Sequence, residues 1–177
     1  MLKKILLFPT MRQTFEWDCG AKAVQSVLAY YGIDEREEVL MKLAGTTKNG
    51  TPIKGIKKVL KKYGLDFEDH EMTIKDLKKF IKKKMPVIIL LQAWAEKKHV
   101  DWSNHWESGH FAVVIGYDRK RIYFEDPAST TRTFLTYEEL EKRWHDFDMG
   151  TKKYIHYGIA VHGKHPSFSF KRFIRME

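Results

Sequence analysis

The chain has 177 residues, 43% hydrophobic and 14% aromatic, enough for one domain with a core of its own. Its single cysteine excludes an internal disulfide framework and suits a reducing compartment. The net charge of +9, from 32 Lys and Arg against 23 Asp and Glu, would draw nucleic acid, an anionic membrane or an acidic polypeptide, so its distribution decides what it means.

The amino terminus, MLKKILLFPTMRQ, has only the apolar run 5–8 before Pro9. That is too short for the core of a secretory signal and far short of the roughly 20 residues of a membrane span, so a cytoplasmic location is expected. After Cys19, AKAVQSVLAYYG places Ala23, Val27 and Tyr30/Tyr31 on one helical face and stops at Gly32. DEREEVLMKLAG reads as a second helix, acidic at its start and closed by Gly45. TTKNGTP is a loop, and Pro52 opens a third helix that ends near Gly64.

LDFEDHEM is a short strand, and Thr73 caps a fourth, lysine-rich helix. The lysines of this helix and the one before it fill positions between apolar residues at helical spacing (Ile56, Val59, Leu60; Leu77, Phe80, Ile81). They read as solvated faces, and without interleaved aromatics a nucleic-acid partner is not expected. PVIILLQAW is a continuous apolar run, as in a buried central strand. A polar, aromatic loop comes next, and then HFAVVIGYD and RIYFEDPA form two strands joined by a turn at Asp118-Arg119-Lys120. TRTFLT is a strand, Tyr137 to Trp144 a helix, and KYIHYGIAVHG a final strand. The expected fold is α+β in a single domain, 1–177: a helical layer (about 1–85) packed on an antiparallel sheet (about 86–165), with a tail at 166–177.

A nucleophilic thiol needs help to ionise, and the first turn of a helix offers unpaired N–H groups to a thiolate. Cys19 stands at such a start, in QTFEWDCG. It also needs a histidine to move protons, an acid or amide to orient that ring, and a donor for the oxyanion. His110 opens one strand directly after Gly109, a small residue that leaves space beside the ring. Asp126 ends the next strand, held extended by Pro127. Two antiparallel strands joined by a short turn make the two cross-strand neighbours. Glu125 should face the other way, and Asp118 sits at the far turn. Gln13 precedes the thiol and carries an amide able to donate to an oxyanion. Metal binding is the competing chemistry. His105 and His110, or His156, His162 and His165, are the candidate ligands, but none forms a helical i, i+4 pair with a carboxylate and one cysteine cannot build a thiolate site. No metal is expected.

QTFEWDCGAKAVQSVLAYYG resembles the cysteine box of the C39 peptidases, the papain-like double-glycine leader peptidases. GHFAVVIGYD and IYFEDPA resemble their histidine and Asp-Pro strands, so the resemblance runs from Gln13 to Ala128. It implies a papain-like fold and a cysteine peptidase needing no cofactor, acting on a peptide or protein substrate such as a leader peptide. Cys19 would be the nucleophile, His110 the general base and acid, Asp126 its orienting residue, and Gln13 the oxyanion donor with the Cys19 backbone N–H. Asp18 and Gly20 would shape the loop and leave room for substrate. The loop 93–109 with Trp102 and Trp106 is not part of that resemblance; as a long loop beside the histidine strand, it is expected on its own account to border the substrate groove. The same triad could serve a thiol acyltransferase of transglutaminase or phytochelatin-synthase type, or the fold could survive as a non-catalytic peptide- or nucleic-acid-binding module.

Overall fold

The computed structural model describes residues 3–176; the outermost positions of the expected domain, 1–2 and 177, lie outside them. A two-residue strand, β1 (Lys4–Ile5), precedes three helices, α1 (Cys19–Tyr30), α2 (Glu37–Ala44) and α3 (Ile53–Lys62). Then come β2 (Asp66–Glu71), α4 (Ile74–Lys82), β3 (Val87–Gln92), β4 (Gly109–Tyr117), β5 (Arg121–Glu125) and β6 (Thr133–Thr136). The chain closes with α5 (Tyr137–Arg143), β7 (His145–Asp148), β8 (Lys152–Ile155) and β9 (Tyr157–His162).

The helix boundaries follow from local chemistry. α1 buries Ala23, Val24, Val27 and Leu28 and ends where Gly32 takes a φ of 79°. Gly45 closes α2 in the left-handed conformation, which costs a residue without a Cβ nothing. Pro52 stands immediately before α3. Thr73 and Asp76 form a reciprocal capping box at the start of α4, satisfying two otherwise orphaned N–H groups.

The main sheet runs β2-β9-β3-β4-β5-β6, antiparallel throughout, with β1 also paired to β4. β3 is buried at every position and β4 from His110 to Tyr117, as the apolar run at 86–94 predicts for a strand covered on both faces. α1 packs on β4, α4 on β3 and β4, and α2 and α3 pack against α1 and each other. This is an α+β fold.

Three features differ from the sequence reading. KYIHYGIAVHG is two strands, β8 and β9, because His156 takes a φ of 51°. There its N–H donates to Trp144 O at 2.7 Å and its carbonyl accepts Met72 N–H at 2.8 Å, so the chain leaves one sheet and enters another. β7 pairs with β8 in a separate two-stranded sheet, which no local pattern signals, and the same is true of β1. Finally, β2 joins the main sheet at its edge, so the part of the chain before residue 85 contributes a strand to that sheet. Among the described residues no helix is long and apolar enough to cross a membrane.

Candidate active site

Cys19 is the first residue of α1, with Asp18 at the N-cap, so its side chain lies where the helix leaves N–H groups unpaired. It is 8% exposed. Gly20 does not leave room for a substrate. A Cβ there would lie 2.7 Å from Thr51 Cβ and 2.9 Å from the Phe111 ring, so the glycine lets α1 press against β4 and the loop before α3. Asp18 is fully buried, and its Oδ2 accepts the N–H groups of Thr14 (3.2 Å) and Phe15 (3.0 Å). That pair of bonds folds the segment Gln13–Cys19 back on itself.

His110, near the start of β4, directs Nε2–H to Asp126 Oδ1 at 2.8 Å. The register Val113↔Glu125, continued by one residue, sets Asp126 against Ala112, so His110 is its diagonal neighbour across the strands. Cys19 and His110 line one small hollow, so the thiol and the ring are neighbours. Burial by itself drives the ring toward neutrality, and it is the strongest single influence. The hydrogen bond and charge of Asp126, with Cys19 beside the ring, outweigh it together and hold His110 well above the ordinary histidine value.

Asp126 is 5% exposed and fully partnered. Oδ1 takes His110 and the Ala128 N–H (3.0 Å), and Oδ2 takes Thr133 Oγ1–H (3.0 Å) and Trp94 Nε1–H (3.2 Å). Burial opposes its charge, but these donors and the His110 charge keep its pKa below the usual carboxylate value. Glu125, one residue earlier, instead accepts Met11 N–H at 2.8 Å, and burial raises it to about 7. Trp94 is a residue that sequence reasoning passes over. It is 58% exposed with a φ of 60°, and its indole N–H reaches the carboxylate that holds His110.

Gln13 donates its backbone N–H to Pro127 O at 2.8 Å, so the segment before the thiol runs beside the one that carries Asp126. Its side-chain Nε2 donates to Phe15 O at 2.7 Å. Gln13, Glu16, Trp94, His105, Gly109 and His110 line a cleft of about 550 Å³, bordered along one side by the loop 93–109. Within that loop Trp94 forms the wall. Trp106 packs on His145 and Phe147, at ring separations of 4.3 and 5.0 Å, and Trp102 lies 3.8 Å from the Arg143 guanidinium. Both anchor the loop from behind.

Cys19 borders a separate, smaller hollow of about 70 Å³ with Thr51, His110, Asp146 and Asp148. The space expected beside Gly109 is filled, since a Cβ there would lie 2.0 Å from Asp146 Oδ2. Asp146 accepts Gln92 Nε2–H at 2.8 Å, and burial raises it to about 6. The candidate metal-ligand histidines are not gathered. Among the described residues no three His, Cys, Asp or Glu side chains stand where they could hold an ion.

The family model of the peptidase C39 family matches residues 8–153. The lactococcin transport/processing ATP-binding protein LcnC-like of Lactococcus lactis is 30% identical over 133 residues, covering 75% of this chain and 17% of that protein. The chain therefore spans a small part of that relative's length. A putative C39-like peptidase from Bacillus anthracis is 19% identical with a TM-score of 0.69, over 94% of this chain and all of that one. A double glycine motif protease from an AMS/PCAT transporter, solved with a leader peptide, is 24% identical with a TM-score of 0.63, over 94% and 100%.

Proposed function

The chain belongs to the peptidase C39 family, and from that premise we propose that it is a cysteine peptidase acting through Cys19, His110 and Asp126. The observation that carries this reading is the line from a thiol at a helix start, through a buried histidine held above its ordinary pKa, to a carboxylate with all its hydrogen-bonding positions filled. Such a histidine keeps its proton at neutral pH and so holds a positive charge beside the sulfur.

A peptide laid in the cleft reaches His110, which also lines the hollow that holds Cys19. The sulfur attacks the scissile carbonyl carbon, and the carbonyl π electrons move to oxygen. The Cys19 backbone N–H and the Gln13 amide stand as donors for that oxyanion, Gln13 by exchanging its bond to Phe15 O for one to substrate. His110 gives its proton to the leaving amine as the C–N bond breaks, leaving a thioester. Neutral His110 then takes a proton from water, whose oxygen attacks the thioester. The acid product departs and the thiolate–imidazolium pair is restored. Asp126 keeps the ring oriented through both halves. The leader-peptide complex of a structural neighbour supports a peptide substrate of the same kind.

The test is peptide turnover by the chain and by Cys19→Ala, against a peptide pool that includes leader sequences. The alanine variant is expected to lose roughly 10³-fold or more, since the nucleophile and its base act as a unit. Undiminished cleavage by that variant would remove the assignment.

A further inference from the structure

We propose that Asp18 and Glu37 share a single proton, and that this bridged carboxyl pair is a positioning device that fixes the Gln13–Cys19 segment around the nucleophile. The second half of that statement rests on Cys19 being the nucleophile and Gln13 the oxyanion donor. Asp18 Oδ2 is taken by the Thr14 and Phe15 N–H groups, while Oδ1 is buried with no donor on it. Glu37, at the first position of α2, accepts Lys22 Nζ at 2.8 Å and the Thr14 hydroxyl on Oε2, while its Oε1 is likewise buried and without a donor. Thr14 brings the two carboxyl groups together, its N–H bound to Asp18 Oδ2 and its hydroxyl to Glu37 Oε2, so their orphaned oxygens are buried in one place.

Two oxygens in such contact repel unless a proton lies between them. The cation facing the pair is Lys22 of α1, itself buried and bound also to Gln25 Oε1. One lysine balances one carboxylate, so a single retained proton leaves the group neutral, whereas none leaves an uncompensated buried charge. Burial, followed among the raising influences by the Glu37 charge and hydrogen bond, lifts Asp18 above the ordinary value, which identifies it as the group that keeps the proton.

The bridge reaches the chemistry through the chain. Asp18 precedes the nucleophile and grips Thr14 and Phe15, and Glu37 holds the Thr14 hydroxyl. Gln13 is the residue just before Thr14, and it carries the backbone contact to Pro127. Neither carboxyl touches a reacting atom. Losing the proton sets Asp18 against Glu37 and loosens the segment that carries the oxyanion donor.

Three measurements test this: the acid carbonyl band in infrared spectra of ¹³C-aspartate protein at a pH where ordinary carboxyls are ionised, the rate of Cys19 alkylation, and kcat against pH. Glu37→Gln supplies an amide donor to an ionised Asp18. It should therefore lose one acid band, keep its alkylation rate, and move the alkaline fall of kcat upward by about one pH unit or more. Glu37→Ala supplies nothing, so kcat should fall about tenfold with KM little changed. Absence of the band from the unmutated protein, or an alkaline limb identical in Glu37→Gln, overturns the proposal. The band and the alkylation rate require no turnover, so failure of the peptidase reading would be seen separately, as an absent activity with the bridge intact.

Discussion

Asp126 is the residue on which the ring depends, and its four donors make it a test of how much orientation is worth. Removing it frees His110 from the neighbour that most favours its charge, so Asp126→Ala should bring the His110 ring titration, followed by NMR, down toward the ordinary histidine value. Peptide turnover should fall roughly 10²-fold or more, because an imidazole free to turn presents the wrong nitrogen. Trp94→Phe asks a narrower question, since it removes one donor from Oδ2 and leaves three on the carboxylate. A hydrogen bond to a charged group is worth about 1.5–3 kcal/mol. At 3.2 Å from a half-exposed indole the lower end applies, so kcat should fall about tenfold or less with KM close to unchanged. A loss as large as that of Asp126→Ala would mean that Trp94 binds substrate as well as orienting the carboxylate.

At the scale of the elements, the helices that carry this machinery are set by close backbone approaches. A Cβ on Gly55 in α3 would lie 1.9 Å from Ala44 O at the end of α2, so the two helices cross at a distance only glycine permits. Gly55→Ala gains helix propensity worth about 1 kcal/mol. The forced separation outweighs it, and a net loss of about 1–3 kcal/mol in denaturant unfolding is expected. Since α2 carries Glu37 and the loop into α3 carries Thr51 against Gly20, alkylation of Cys19 should slow as well. The helices and central strands are legible in the sequence because apolar spacing and glycine stops are local signals, as in α1 and β3. The hydrogen bond between His110 and Asp126 follows from a short turn between two strands, another local feature. What sequence cannot give depends on distant partners: Gln13 tied to Pro127, Met11 to Glu125, and Gly109 occupied by Asp146. The break at His156 belongs to the same class, since its backbone bonds go to Trp144 and Met72 in other elements. Trp94 stands in a loop of several aromatics, and nothing in its sequence neighbours distinguishes it from Trp102 and Trp106.

Over the whole molecule, the buried carboxyls divide into two sets with opposite effects of pH on stability. Glu125, Asp146 and Asp18 have folded-state values raised by burial, to about 7 and about 6 for the first two. Each contributes fully below its unfolded value and loses that contribution as pH rises through the folded one. His110, also raised, follows the same sign at higher pH. Asp126 is lowered by its donors against burial, Asp69 by Tyr157 and Lys57 against burial, and Asp118 by Tyr123 and the backbone around it. Those three contribute above their unfolded values and lose it as pH falls. The two sets meet at the unfolded carboxyl values of 3.8 and 4.5, so the melting temperature should be highest at about pH 4, falling above it as well as below. Glu125→Gln isolates one arm, because an amide keeps an acceptor for the Met11 N–H and has no charge to bury. Its melting temperature should match the unmutated chain below the unfolded value of 4.5, at about pH 4, and exceed it at about pH 8, by about 2–4 °C for each kcal/mol recovered. Measured at physiological salt, where the excess of surface lysine is screened beyond about 8 Å, the difference reports the buried group. An identical fall with pH in both proteins would place the loss elsewhere, in the Asp18–Glu37 bridge, in Asp146 or in His110, and the same comparison with Glu37→Gln isolates the first.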